Sequence, residues 1–469
     1  MATGKAIDLK TYAKSTTRRD FLKGAAALGA FNVIPAKVLW GAEAPSNRLT
    51  RALIGFGGIA HSDNHLPFKG SRLVGLCDPD ALHVADGLKC AKEAGWGKVR
   101  AYKDFLELLA DPGVDIVHIC TPPHWHGVMS VMAARAGKDI WCEKPMTRTV
   151  GEGIRVRDYV GAKGRMFRLN TWFRFKDPYY GFGTPVKPVR QVVENGILGS
   201  GPVTCVFGAG QGFCWKFFWS GKVNGAVEEC PKTLDWDMWL GPAPYKPYNR
   251  HRCHSTFRGY WDYDAGGLGD MAQHYLDPLQ YLLCKDETSP VKVEYMGPRQ
   301  HPEVVGRFDR ITLTYSDGTK VLLDGDESLR GEPFLRGSNG VTVWPALRKD
   351  GTVGSWTTPE ESKDMMFRMK DADGKDIDVR KLLAGLPEPA HQQDDFIDSC
   401  ITRRKFCLNE ETGFRSCTMF NLAIVAERLG RGFEFDPVAL HAKKDEAAER
   451  FLYQEEHMRE PWRTEFFKA

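Results

Sequence analysis

The segment Leu53-Ile54-Gly55-Phe56-Gly57-Gly58-Ile59-Ala60 constrains this chain more than any other. An apolar run ends at a glycine, and a turn of small residues leads into the next element. Gly55 permits a tight turn, Gly57 leaves backbone open to close approach, and Ala60 lets a following helix pack tightly. Asp78 stands 23 residues beyond Gly55, after the next apolar run, Ser71–Cys77. A G-x-G-x-x-A turn alone is a weak signal. With an acid ending the second strand, it specifies a β-α-β unit whose helix N-terminus attracts a pyrophosphate and whose carboxylate takes ribose hydroxyls. Phe56, Gly58 and Ile59 complete this candidate nucleotide site. Asp78 repels a 2′-phosphate, which favours NAD over NADP, and Lys103 is a cation able to soften that preference.

Residues 51 to about 170 repeat the alternation. Strands are expected at Arg51–Gly55, Ser71–Cys77, Val99–Tyr102, Val114–Cys120, Asp139–Cys142 and Met166–Leu169, with helices over 79–95, 104–110, 126–136 and 149–163. Asp104 suits a helix N-cap, and Asp111-Pro112-Gly113 a turn. Such alternation predicts a parallel, doubly wound sheet. Beyond 170, Tyr, Trp, Pro and Gly become dense. Val203–Gly208, Val291–Tyr295, Arg310–Tyr315 and Lys320–Asp324 read as antiparallel strands, with a hairpin turn at Ser316-Asp317-Gly318. Helical periodicity returns over 391–430, with Phe396, Ile397, Cys400 and Ile401 on one face. The charged segment after 438 reads as a surface helix or an arm. The expected class is α/β: a doubly wound parallel sheet, then an α+β domain on a mostly antiparallel sheet. The divisions are 1–44, 45–170, 171–437 and 438–469.

Lys and Arg number 64 against 60 Asp and Glu, a net charge of +4 in 469 residues. That is too small to mark nucleic acid or an anionic membrane as a partner. No later stretch approaches 18 apolar residues, so no internal membrane span is expected. The 12 cysteines form no CxxC pair, and a chain this long buries a core without a disulfide framework. His251-Arg252-Cys253-His254 lacks a partnering carboxylate motif, so no metal site is assigned. Several tryptophans cluster between Trp215 and Trp261, where they either stack on sugar rings or fill a core or interface. At the N-terminus, Thr17-Arg18-Arg19-Asp20-Phe21-Leu22-Lys23, a mild apolar stretch and Ala42-Glu43-Ala44 resemble a twin-arginine export signal. That resemblance implies a periplasmic or otherwise exported protein, carried already folded, with a tightly bound cofactor recycled in place.

Thr121-Pro122-Pro123-His124-Trp125-His126 follows the fourth expected strand, at the sheet edge where ligands bind in such folds. Thr121, Pro122, His124 and His126 are candidate cofactor contacts, although either histidine would also serve to cap the next helix. Glu143-Lys144-Pro145 follows the fifth strand. Farther along stand Leu234-Asp235-Trp236-Asp237-Met238-Trp239-Leu240-Gly241-Pro242, Gly266-Gly267-Leu268-Gly269-Asp270-Met271-Ala272-Gln273-His274 and Glu427-Arg428-Leu429-Gly430-Arg431. Together these motifs resemble the Gfo/Idh/MocA oxidoreductase family over almost everything from 48 to 437. The resemblance implies an N-terminal Rossmann domain, an NAD(P) cofactor, and a C-terminal α/β domain whose large open sheet forms a homodimer or homotetramer. It carries the family's E-K-P lysine onto Lys144, with Glu143 beside the cofactor, and its D-x-x-x-H pair onto Asp270 and His274.

Spaced by four, Asp270 and His274 share one helical face, so the carboxylate can lie beside the imidazole. Hydride leaves a carbinol carbon as its hydroxyl proton is removed. In that scheme His274 is the base, Asp270 orients it or binds a neighbouring hydroxyl, and Lys144 bonds the reacting oxygen. Arg174, Trp261 and Tyr263 are candidate substrate contacts. The expected activity is hydride exchange with a secondary hydroxyl of a sugar, glycoside or cyclitol. One alternative is an NAD-dependent glycoside hydrolase working by transient oxidation, elimination and re-reduction, with Tyr263 or a histidine of the 251–254 loop as extra acid or base. Another is a non-catalytic nucleotide or sugar sensor, against which the joint presence of Lys144, Asp270 and His274 speaks.

Overall fold

The computed structural model describes residues 48–61, 70–171, 174, 186–211, 222–223, 225–353 and 365–468. Residues 1–44, where an export signal is expected, and Trp215 lie outside them. Six strands form a first sheet: β1 (Leu49–Ile54), β2 (Ser71–Cys77), β3 (Arg100–Tyr102), β4 (Ile116–Ile119), β5 (Asp139–Glu143) and β6 (Phe167–Asn170). Their order is β3-β2-β1-β4-β5-β6, and every pair is parallel. The expected strands stand within two residues of these bounds, the usual uncertainty of strand ends. β4 and β5 are buried along their whole length, because helices cover both faces of the sheet. Those helices are α1 (Ala81–Glu93), α2 (Phe105–Ala110), α3 (His126–Arg135) and α4 (Val150–Ala162). Asp104 caps α2 as expected, accepting from the Leu106 amide; Asp80 caps α1 and Thr149 caps α4 in the same way.

In the register, Ile54 pairs with Cys77 on one side and Ile119 on the other, and Ile119 pairs with Cys142. The residues that follow these strands, Gly55, Asp78, Thr121 and Lys144, therefore emerge along one edge. That edge includes the β1/β4 crevice where the strand order reverses, the place where doubly wound sheets bind ligands.

The second sheet has ten strands: β7 (Thr204–Gly208), β8 (Lys292–Met296), β9 (Arg310–Thr314), β10 (Lys320–Asp324), β11 (Leu335–Arg336), β12 (Thr342–Trp344), β13 (Arg368–Lys370), β14 (Asp376–Ile377), β15 (Phe433–Asp436) and β16 (His441–Ala442). Their order is β14-β13-β12-β11-β7-β10-β9-β8-β15-β16. Only β7 and β10 pair in parallel; the remaining pairs are antiparallel. The Ser316–Gly318 turn joins β9 to β10, with Gly318 at φ 87° and the Tyr315 amide on the Thr319 carbonyl at 2.8 Å.

Two helices bind the sheets together. α5 (Gly266–Leu282) packs against α6 (Glu410–Leu429), and α6 also packs on α4 and β8. α6 is buried nearly all round, as a helix sandwiched between two domains must be. The helical stretch expected over 391–430 is broken. A first helix, Phe396–Thr402, ends where Arg403 turns left-handed at φ 64°, and Asn409 caps α6 afresh. Phe396, Ile397 and Cys400 are buried, but Ile401 is exposed.

The charged tail is not a free arm. β16 extends the second sheet, and a helix at Trp462–Phe467 returns to the first domain. Trp462 and Phe466, one helical turn apart, bury themselves there, while Arg135 of α3 bonds Glu465 at 2.9 Å and the Glu465 and Lys468 carbonyls. The segment is rich in charge, but two aromatics on one face anchor it.

Candidate active site

One cavity runs along the carboxyl edge of the first sheet and under the second domain. Gly55, Gly57, Gly58, Ile59 and Asp78 line one end, Thr121 and Pro122 the middle, and Glu143, Lys144, Asp264 and Asp270 the other end. Met238, Trp239, His254, Ser255, Phe257 and Arg258 enter from the second domain.

At the first end, Gly55 sits at φ 89°, and a Cβ there would lie 2.8 Å from the Cys120 carbonyl. Glycine is required on both counts. Nothing lies within 4 Å of a Cβ built on Gly57 or Gly58, so the turn opens toward free space, as close approach of a pyrophosphate demands. The helix expected after this turn is, within the described residues, a 3-10 turn at Gly58–His61. Asp78 fastens the turn by accepting from the Phe56 amide at 2.7 Å and the Asp80 amide at 2.8 Å, and His83 Nδ1 lies 3.3 Å away. Lys103 lines the same region. Phe56, expected among the cofactor contacts, is 1% exposed and packs over Gly87 in the core instead.

The second domain docks on this end. The Ala81 amide donates to the Thr233 carbonyl and the Asp235 amide to the Pro79 carbonyl, both at 2.9 Å. His254, held left-handed at φ 50°, brings its ring within 4.8 Å of His83 and its Nε2 within 3.5 Å of Asp80.

His124 and His126, two expected cofactor contacts, do not line the cavity among the described residues. His124 Nε2 meets the Trp239 carbonyl at 3.0 Å, and Trp125 Nε1 donates to the same oxygen at 3.1 Å. This loop is an interdomain lock. Burial pushes His124 down to about 3, so it stays neutral. His126 is a strut beneath the cavity, with Nδ1 2.6 Å from the Pro145 carbonyl and Nε2 2.8 Å from the Thr121 carbonyl. It ties the turn carrying Lys144 to the loop carrying Thr121.

At the far end, the Lys144 ammonium donates to the Asp270 main-chain carbonyl at 2.6 Å and to Oδ1 at 3.1 Å. Arg258 approaches the same Oδ1 at 2.9 Å. Burial opposes charge on Asp270, but Lys144 and then Arg258 outweigh it and hold the carboxyl at about 2. The carboxylate therefore serves two cations. The His274 imidazole, one turn further along α5, sets Nδ1 3.3 Å from the Thr171 hydroxyl and is not among the described lining residues. Glu143 lies buried beneath, accepting from Asn170 and approached by His118 Nε2 at 3.4 Å; burial lifts its carboxyl to about 7. Gln273 braces the turn by accepting from the Met146 amide at 2.7 Å and donating to the Gly413 carbonyl at 3.0 Å.

The three expected substrate contacts go elsewhere. Arg174 is buried between Asp277 and Asp286, with bonds of 2.9 and 2.8 Å. Trp261 donates from Nε1 to the His301 carbonyl, and Tyr263 packs between the rings of Trp239 and His124. In each case a partner remote in sequence claims the side chain. Arg258 and Ser255 line the cavity without having been singled out in the sequence; Asp264 lines it from the 261–264 segment, where Trp261 and Tyr263 were the expected contacts. For Arg258 and Ser255 no motif signals this, whereas Asp264 abuts the glycine run before Asp270.

A doubly wound sheet that opens a glycine turn at its switch point, and presents a lysine held on a carboxylate farther along the same groove, defines the class of nicotinamide-nucleotide oxidoreductases. Residues 49–171 match the oxidoreductase family's NAD-binding Rossmann fold, and residues 182–352 and 360–464 match its C-terminal alpha/beta domain. The chain belongs to the Gfo/Idh/MocA family of NAD(P)-dependent oxidoreductases. It is 34% identical over 267 residues to inositol 2-dehydrogenase 1 of Saccharopolyspora erythraea, covering 55% of this chain and 71% of that one. It is 27% identical to a glycosyl hydrolase family 109 protein of Stenotrophomonas maltophilia over 72% of this chain and 73% of that one. Among solved structures, the WlbA dehydrogenase of Bordetella pertussis, in complex with NADH and UDP-GlcNAcA, shares the fold at 16% identity and a TM-score of 0.50, over 83% of this chain and 99% of that one.

Proposed function

We propose that this protein exchanges a hydride between a retained nicotinamide nucleotide, NAD in preference to NADP, and a secondary hydroxyl of a sugar, glycoside or cyclitol. One observation carries the reading: Lys144 and Asp270 share a cavity with the glycine turn and Asp78. The bound nicotinamide supplies the hydride acceptor. An ammonium has three donors. Asp270 takes two from Lys144, leaving one N–H for the reacting oxygen, where it favours developing negative charge. Asp270 and Arg258 fix the ammonium's position. His274 is the proton acceptor, and Thr171 bears on its Nδ1. The Thr233–Asp235 contacts and His254, closing over the Asp78 end, support slow nucleotide release. The resemblance of the Thr17–Lys23 stretch to a twin-arginine signal supports export of the folded, loaded protein to the periplasm, and the ten-stranded sheet supports assembly as a homodimer or homotetramer.

The test is to purify the full chain, assay it for nucleotide, and add myo-inositol and free aldoses while following nicotinamide absorbance. Reduction that depends on Lys144 supports the reading. No reduction across the panel by loaded protein overturns it. The similarity to a glycosyl hydrolase family 109 protein favours a second reading, redox-assisted glycoside cleavage. Release of aglycone from chromogenic glycosides, without lasting nucleotide reduction, would select it.

A further inference from the structure

Tyr263 and His254, expected as sources of an extra acid, lie in an aromatic cluster and at the Asp78 end respectively. Asp264 lines the Lys144 end instead. It is 2% exposed, and neither carboxyl oxygen has a hydrogen-bond partner among the described residues. An unpartnered buried polar group is costly to the fold, and inside an enzyme cavity it calls for a ligand.

The backbone points the same way. Ala265 at φ 99° and Gly266 at φ 64° are consecutive left-handed residues, and Ala265 is strained there. A Cβ on Gly269 would lie 2.1 Å from the Asp264 carbonyl oxygen and 2.6 Å from its Oδ1. The glycine at 269 is what lets Asp264 lie against the first turn of α5, beside Asp270.

We propose that Asp264 is a substrate-contacting residue whose carboxyl donates a hydrogen bond to the hydroxyl on the carbon next to the one that exchanges hydride. The site thereby selects vicinal polyols over their deoxy analogues. This rests on the hydride-transfer reading above. The reacting oxygen takes the remaining N–H of Lys144, and Asp264 lines the same end of the cavity, within reach of the carbon next to it. The charged groups that bear on Asp264 are Asp270, Arg258, Lys144 and Arg148. Burial, then the Asp270 charge, push the Asp264 carboxyl well above the carboxylate range despite the three cations. Of two adjacent acids, Asp270 is thus held toward its ionised form and Asp264 is driven toward its neutral one.

The experiment uses nucleotide-loaded full chain, Asp264→Asn and Asp264→Ala, with myo-inositol, D-glucose and monodeoxy analogues of each. Asp264→Ala should raise KM for the parent polyol about 10–100-fold with less effect on kcat. The analogue lacking the partner hydroxyl should be insensitive to the substitution, and Asp264→Asn, which still donates, should recover part of the loss. An unchanged parent KM, or equal losses for every analogue, overturns the proposal. Infrared difference spectra of wild type minus Asp264→Asn at neutral pH should show a protonated-carboxyl band that shifts when myo-inositol or D-glucose is added. Absence of that band also overturns it. If the band responds to polyol but wild type turns over none of them, the contact stands and the hydride-transfer reading falls. Turnover with an unresponsive band gives the reverse.

Discussion

Lys144 and Asp270 meet across the domain boundary: the ammonium bridges the main-chain carbonyl and the carboxylate of one residue 126 positions away in the chain. The second domain thus aims a lysine supplied by the first. Lys144→Met should lower single-turnover hydride transfer by about 100- to 1000-fold and leave nucleotide content unchanged. Stopped-flow nicotinamide absorbance checks the rate. An undiminished rate would remove Lys144 from the chemistry.

Arg258 shares Asp270 with that lysine. Arg258→Gln should leave Lys144 less firmly placed and raise the Asp270 carboxyl from about 2. The expected loss in kcat is about tenfold, the scale of one charge-assisted hydrogen bond, and a kcat against pH series should show an acid limb moved upward. A fall in KM alone would argue against this placement role.

Gly55→Ala joins an unfavourable φ to a clash with the Cys120 carbonyl. Destabilisation of about 2–4 kcal/mol is expected, read as a lowered Tm with and without NAD. An unchanged Tm would mean that the turn relaxes freely.

Asp78→Ala removes the acceptor of the Phe56 and Asp80 amides along with the candidate ribose ligand. NAD affinity should fall about 10–100-fold, and the ratio of NAD to NADP affinity should fall as well. Calorimetric titration of both nucleotides gives the answer, and equal weakening of the two would show that Asp78 serves only the turn.

His124 links stability to pH. Unfolded, it takes its proton near 6.5; folded, at about 3. Between those values the unfolded chain binds more protons, so stability falls as the pH falls through this window, by about 1.4 kcal/mol per unit at most. Glu143 runs the other way: its folded carboxyl is lifted from 4.5 to about 7, so it weakens the fold as the pH rises over that range. His124→Asn keeps a donor for the Trp239 carbonyl and isolates the first effect. Urea denaturation over a pH series should show a flatter acid limb in the variant. Parallel curves would show that His124 is not held neutral.

The alternation of apolar runs, the glycine turn and the caps were legible in the sequence because each is a local matter. Strand period, a forbidden Cβ at Gly55 and a carboxylate at Asp104 act within a few residues of themselves. The spacing of Lys144, Asp270 and Asp78 after or near element ends was legible for the same reason, since strand ends and the first helical turn fix where a backbone emerges. Where the side chains went was decided by tertiary packing. His124 turned to Trp239, His126 to Pro145 and Arg174 to Asp277 because buried polar atoms must find partners, and those partners come from anywhere in the chain. By the same rule Asp270 took Lys144 and Arg258, and Asp264, which has no hydrogen-bond partner among the described residues, lies in the cavity wall. Local sequence determined which backbone edges meet a ligand; burial, through the cost of an unsatisfied polar group, determined which side chains remained free to touch it.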